Sequence, residues 1–349
     1  MKTKRNLIDT GLILALLSIL NLPPSSALAQ GSLTPPGAPA PTMITLSQIE
    51  SRTPISSAPF TITQPGSYYL TTNLVLSSGN AITISTNGVT LDLKGFFLSG
   101  SATAANGILM GTVTNITIYN GHIAGFTNGI TPLSGTVNAR VTGVTVSDCR
   151  LIGIFLGNSS STIVESCAVN NVGGYGIVAG SVSDSTAQNC GSTAIDANVA
   201  NNCYGESTGS DGVLAYTANN CYGYCTGNNF GLYAPETATG CYGYSGSYYG
   251  LNATTANNCA GYGGYAGLSA NNANNCYGVT GGTGYALYVP ILATDCYADS
   301  QGSGYGMYTT VAIGCYCHSV SGYALDAYIA NSCYSSTGDA YITYKYNMP

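Results

Sequence analysis

Few side chains in this 349-residue chain could do acid, base or ion chemistry: 8 are Lys or Arg, 14 Asp or Glu, and 2 His. The best-placed lie in the first half. Asp148 and Arg150 stand two apart, which on a strand puts them on one face, and Glu165 follows near one turn of a repeat. A carboxylate beside a base would suit proton removal next to a uronate, with calcium held by acids. Two acids ~5–9.5 Å apart would suit glycoside hydrolysis. Asp92, Lys94, His122 and Arg140 complete the candidates. The competing reading is ordinary surface ion pairs, each worth ~0–1 kcal/mol. Near the end, Cys315-Tyr316-Cys317-His318 offers two thiols and an imidazole. Structural zinc usually gathers four ligands at wider spacings, so no metal and no cofactor is expected. The GYG strings are turn chemistry, not nucleotide loops.

A second kind of chemistry is contact. Tyrosine directly follows cysteine at Tyr204, Tyr222, Tyr242, Tyr277, Tyr297, Tyr316 and Tyr334. Strand neighbours face opposite ways, so inward cysteines imply an outward stripe of rings. Such rings could stack on sugar faces, pack on a second protein, or simply favour β-structure. A further set, Tyr175, Tyr249, Tyr285, Tyr305 and Tyr323, precedes an aliphatic position by two and is expected to point inward at a corner.

Both sets need a scaffold, and composition narrows the choice. Charged residues are 6% of the chain, with 46 Gly, 28 Tyr and 13 Cys. No basic patch exists to neutralise phosphates, so nucleic acid is an unsuitable partner. The first 29 residues read as a secretory leader: Lys2, Lys4 and Arg5, then the apolar run from Leu12 to Leu20, then Ala27-Leu28-Ala29. Cleavage would start the mature chain at Gln30 with a net charge of about −8. Residues 30–42 form a Pro-rich linker, 43–80 an N-terminal β cap with the first strands, and 81–349 the repeat array. No transmembrane segment is expected in the mature chain, which belongs outside the cytoplasm: secreted, periplasmic or at the cell surface.

The array declares itself by period. Late coils begin at Gly212, Gly231, Gly250, Gly267, Ala286, Gly306 and Ala324, each 17 to 20 residues from the next. An aliphatic marker extends the pattern upstream through Ile82, Ile108, Ile130, Ile154, Ile177, Ile195, Val213, Leu232, Leu251, Leu268, Leu287, Met307 and Leu325, with early gaps of 22 to 26. No helical period competes. Short strands joined by Gly and Asn turns, with equivalent residues stacked at ~4.8 Å, predict an all-β right-handed parallel β-helix of about 13 coils. A left-handed helix of hexapeptides is disfavoured, because cysteines eight or nine residues after the marker break a six-residue grid. Eleven cysteines (149, 167, 190, 203, 221, 241, 259, 276, 296, 315 and 333) read as one internal ladder, with Cys225 and Cys317 off it. From the marker gaps and the cysteine offsets, a loss of about five residues falls in one loop between Ile177 and Ile195. Reduced internal thiols and vertical disulfides both fit this ladder. Asn pairs such as Asn201-Asn202 and Asn219-Asn220 read as stacked turn residues.

The stretch PFTITQPGSYYLTTNLVLSSGNAITISTNGVTLDLKGFFLSG (59–100) and the start NGITP (128–132) resemble the opening coils of secreted bacterial β-helix proteins of the pectin-lyase-like superfamily. The likeness is detailed over about 59–190 and continues only as a period beyond. That superfamily implies the fold, and it holds polysaccharide lyases and glycoside hydrolases beside non-catalytic surface proteins. Paired-aspartate runs are missing, and Asn120-Gly121-His122 continues into Ile123 where the hydrolases' histidine turn has glycine. The reading is therefore an exported non-catalytic rod, binding or structural, at the surface or in the envelope. Its partner would be a polysaccharide, another envelope protein or a second copy, joined end to end or side to side. The alternative is a polysaccharide lyase or hydrolase using Asp148, Arg150, Glu165 and His122.

Overall fold

The computed structural model describes residues 51–101, 103–134, 137–336 and 340–348. The leader, the linker and the start of the cap lie outside the described residues. From Arg52 onward the chain forms one compact unit, in which every strand pairs parallel with its counterpart one coil on. No helix occurs among the described residues, so no helix there is long and apolar enough to cross a membrane.

The marker positions stack without a break. Register runs from Ile82 through all thirteen markers to Leu325, and every one is 0% exposed. The column also continues at both ends, to Phe60 below Ile82 and Ala340 above Leu325. Fifteen rungs result, two more than the thirteen aliphatic markers announced. At ~4.8 Å per rung the rod is roughly 70 Å long.

A late coil shows how the chain turns. Tyr285–Thr294 covers two faces, with a register break between Val289 and Leu292 at the bend; Tyr297–Ser300 makes the third. The first is the marker face, the second carries Ala293, and the third starts with Tyr297. The second corner is a single residue in left-handed conformation. Ser166, Asp184, Asn202, Asn220, Gly240, Asn258, Asn275, Asp295, Gly314 and Ser332 all hold φ between 48 and 65° there. Asn and Asp tolerate this region because their short polar side chains bond locally, whereas a branched side chain would clash. The amides then bond coil to coil: Asn202 Nδ2 donates to Asp184 Oδ1 at 3.0 Å and Asn275 Nδ2 to Asn258 Oδ1 at 2.8 Å.

The core tapers. On the second face one inward column reads Tyr68, Leu91, Ile118, Val141, Val164 and Val182, then alanine from Ala200 through Ala330. Small side chains let the opposing faces approach, which is how an 18-residue coil closes without a cavity. The shortening falls between Ile177 and Ile195, as expected: the Ile177 coil is the first to lack the loop that the Ile154 coil still carries. Gly157 pairs with Ala179 and Ile163 with Ser181, so the surplus residues 158–162 belong to the coil of Ile154. They fold onto the marker face, where a Cβ on Gly180 would collide with the Ser159 carbonyl. Thr162 Oγ1 accepts from Gly180 N at 2.7 Å and donates to Gly157 O at 2.6 Å, which pins this loop down.

The cysteines accordingly form two ladders, not one. At the corner before the tyrosine face, Cys167, Ser185 and the eight cysteines from Cys203 to Cys333 stand on successive coils. Cys149 and Cys190 belong to the next corner, beside Val172, Ser207 and Cys225. Cys317 fills an inward position of the third face that Ala298 holds one coil before. All thirteen are buried and free.

Candidate functional site

The seven tyrosines that follow a cysteine lie in one column of the third face. The column starts Phe97, His122, Thr145, Ala168, Thr186 and then reads Tyr204, Tyr222, Tyr242, Ala260, Tyr277, Tyr297, Tyr316, Tyr334. Consecutive rings stack at centroid distances of 5.2 Å (204–222), 4.7 Å (222–242), 4.7 Å (297–316) and 5.2 Å (316–334). Tyr277 and Tyr297 are tilted at 5.2 Å, and Ala260 leaves one rung without a ring. Tyr222, Tyr277, Tyr297 and Tyr334 are exposed; Tyr204, Tyr242 and Tyr316 are half-buried. Burial pushes the Tyr204 phenol up to about 12, with the nearby Glu206 carboxylate adding to it, so it stays a hydrogen-bond donor.

A second column two residues on widens this face. Glu206, Tyr224, Tyr244, Tyr262, Val279, Asp299 and His318 are in register, and Tyr224, Tyr244 and Tyr262 stack at 4.7 and 5.1 Å with planes within 11°. The repeated C-Y-G-Y string carries this signal, since period-two alternation returns the second tyrosine to the same side. Together the columns make a flat aromatic strip.

The other tyrosine set does not point inward. Tyr249, Tyr285 and Tyr305 are half-buried, and Tyr175 and Tyr323 exposed. A small buried residue (Gly176, Gly250, Ala286, Gly306 or Ala324) stands between each ring and the marker, so strict alternation fails at this corner. Tyr285 stacks on Tyr305 at 5.1 Å and Tyr288 on Tyr308 at 5.3 Å, a second aromatic strip around the corner.

The charged candidates take up separate places. Asp148 is exposed and itself a left-handed corner residue, φ 54°, whose Oδ1 accepts from Asn171 Nδ2 at 3.2 Å; Asn189 continues that ladder. Arg150 is exposed beyond the corner, its backbone N donating to Phe126 O. Glu165 sits on the second face and pairs with Arg140 at 2.9 Å, both well exposed. His122 lies on the third face, stacked flat on Phe97 at 4.4 Å. Asp92 accepts from Arg52 at 3.0 Å and from Lys94 N at 2.8 Å, while Arg52 and Lys94 both lie over the Tyr69 ring. These contacts knit the first coils together. Cys315 and Cys317 point into the core and His318 outward to Asp299 at 3.5 Å. Among the described residues no group of three or more His, Cys, Asp or Glu could hold a metal ion.

Two carboxyls that sequence reading passed over stand near the folded-back loop. Asn158 Nδ2 donates to Asp196 Oδ1 at 3.0 Å, and Asn198 Nδ2 to the Asn158 carbonyl at 2.8 Å. One coil on, Asp211 is buried and accepts from Phe230 N at 3.2 Å. Burial raises the Asp196 carboxyl, and burial pushes Asp211 up to about 6. In the sequence Ser210-Asp211-Gly212 reads as a turn. Its burial depends on Phe230 from the next coil, which no local pattern announces.

The family described as right handed beta helix region matches residues 62–195. The coils beyond 195 keep the same registers, so the fold is a right-handed parallel β-helix from Arg52 onward. No curated protein matches it.

Proposed function

We propose that this chain is an exported, non-catalytic β-helix rod that works by contact, at the cell surface or in the envelope, with its tyrosine face against an extended polysaccharide. The observation that carries this reading is the double column of stacked, outward rings. Apolar ring faces bearing a phenol suit pyranose faces, which need CH contacts and hydrogen bonds together. Rungs repeating every ~4.8 Å would favour a polymer over a single sugar. The leader supports export, and the scatter of Asp148, Arg150, Glu165 and His122 over different faces and corners supports contact over catalysis. Retention on immobilised polysaccharides tests the reading. A chain with Tyr222, Tyr242, Tyr277 and Tyr297 changed to Ala should lose at least tenfold in retention while keeping its β-sheet circular dichroism. Equal retention by both chains would overturn it.

A polysaccharide-degrading activity is the second reading, and one observation favours it: Asp211 is buried beside Asp196, and burial raises its carboxyl to about 6, the direction a general acid needs. New reducing ends that vanish in Asp211→Asn would establish it. New ends that vanish instead in Asp148→Ala or Arg150→Ala would place the chemistry at the Asp148 corner.

A further inference from the structure

The longest uniform feature of the interior is the run Cys203, Cys221, Cys241, Cys259, Cys276, Cys296, Cys315 and Cys333, eight thiols on eight successive coils. Each following residue donates its backbone N–H to the carbonyl of the cysteine one coil before, at 2.8 to 2.9 Å, which fixes the register of the run. The sulfurs lean toward the preceding coil. Cys241 Sγ accepts from Cys221 N at 3.4 Å, and Cys259 Sγ accepts from Cys241 N at 3.4 Å. Cys276, Cys296 and Cys315 Sγ reach carbonyls of the coil before them at 3.4, 3.5 and 3.5 Å. The result is a single file of sulfur, 3% exposed or less at every rung.

We propose that this file is a binding site for a linear chain of monovalent soft d10 cations, Cu(I) or Ag(I), each bridging two successive cysteines. Four-coordinate zinc has no place here, because three or four donors never converge on one point. A two-coordinate ion needs only a sulfur on either side. Two metal–thiolate bonds of ~2.3 Å laid end to end span close to one rung of ~4.8 Å. Soft thiolate donors select Cu(I) over hard cations. The charge also closes. Eight thiols leave seven intervals; seven cations displace seven protons, one thiol stays protonated, and the filled file is neutral. No electron is transferred, and each interior thiolate bridges two ions. A lone thiolate without a partner charge is disfavoured away from water, so filling is expected to be cooperative. Loading would occur during folding or from the C-terminal coil of Cys333.

The experiment uses the reduced full chain under argon. One sample is titrated with Ag(I) or Cu(I) when folded, another is refolded in the presence of either ion, and both are desalted and counted by native mass spectrometry. About seven ions per chain are expected after refolding. Cys259→Ser should lower that to about five, because runs of three and four thiols leave five intervals. Ser185 already occupies this position in one native coil, so serine fits the corner. Cys317→Ser, off the file, should leave seven. Two ions or fewer in both samples, an unchanged count in Cys259→Ser, or fewer than eight free thiols in the unreduced denatured chain would overturn the proposal.

Discussion

The coils before residue 177 and those after it close the same fold by different means. Wide coils fill their interior with Leu91, Ile118, Val141 and Val164 and carry most of the basic residues, with Arg140 and Glu165 paired outside. Beside the marker, narrow coils fill theirs with alanine and cysteine and put tyrosine outside; the left-handed corner residue is common to both halves. Closing 18 residues into a coil leaves room inside for the one aliphatic marker and otherwise mainly for small side chains. Most other large side chains go to the surface, and in this chain most of those are rings. Core economy and surface chemistry are therefore one constraint in the narrow half, and separate choices in the wide half.

That contrast can be broken first in the wide half. Ile118 is fully buried between two wide coils, and Ile118→Ala should cost ~2–5 kcal/mol through lost transfer energy and a residual cavity. Denaturant unfolding would read this as a lower midpoint. The boundary between the halves predicts a pH effect. Asp211 is buried with its carboxyl raised from 3.8 to about 6, so the folded chain prefers the protonated form. Its stabilising contribution is full below the unfolded value and lost as pH rises through about 6, up to ~3 kcal/mol in all. Thermal melts from pH 4 to 8 should show that loss, and Asp211→Asn should flatten it. In the narrow half, Asn220→Ala keeps φ 51° but loses the short amide that favours it and removes one amide rung, for ~1 kcal/mol. Smallest is Arg140→Ala, expected within ~1 kcal/mol because its pair with Glu165 is well exposed. A larger loss there would mean the outer charges help close the wide coils.

The period made most of the fold legible. All thirteen aliphatic markers stack because one inward position per coil must stay apolar whatever the loops do. Phe60 and Ala340 were missed since the end rungs, half-capped by solvent, no longer demand an aliphatic side chain. Cys190 was misassigned for a different reason: thirteen residues after a marker is the distance to one corner in a wide coil and to the next corner in a narrow one. Only register separates them. On the surface, Tyr204 to Tyr334 could be read directly from the Cys-Tyr repeat, whereas Tyr224, Tyr244 and Tyr262 required applying the same alternation one step further. Asp196 and Asp211 were not legible at all, because their burial comes from loop 158–162 folding back and from Phe230 one coil away.

Tyrosine nitration followed by peptide mass spectrometry, with and without a retained polysaccharide, tests the contact account most directly. Tyr216 and Tyr328 are at least as exposed as the rings of the third face but sit at the bend between the other two faces, so they serve as internal controls. The account predicts that ligand protects Tyr222, Tyr277, Tyr297 and Tyr334 and leaves Tyr216 and Tyr328 reactive. Protection of Tyr216 and Tyr328 with the third-face rings still reactive would contradict it.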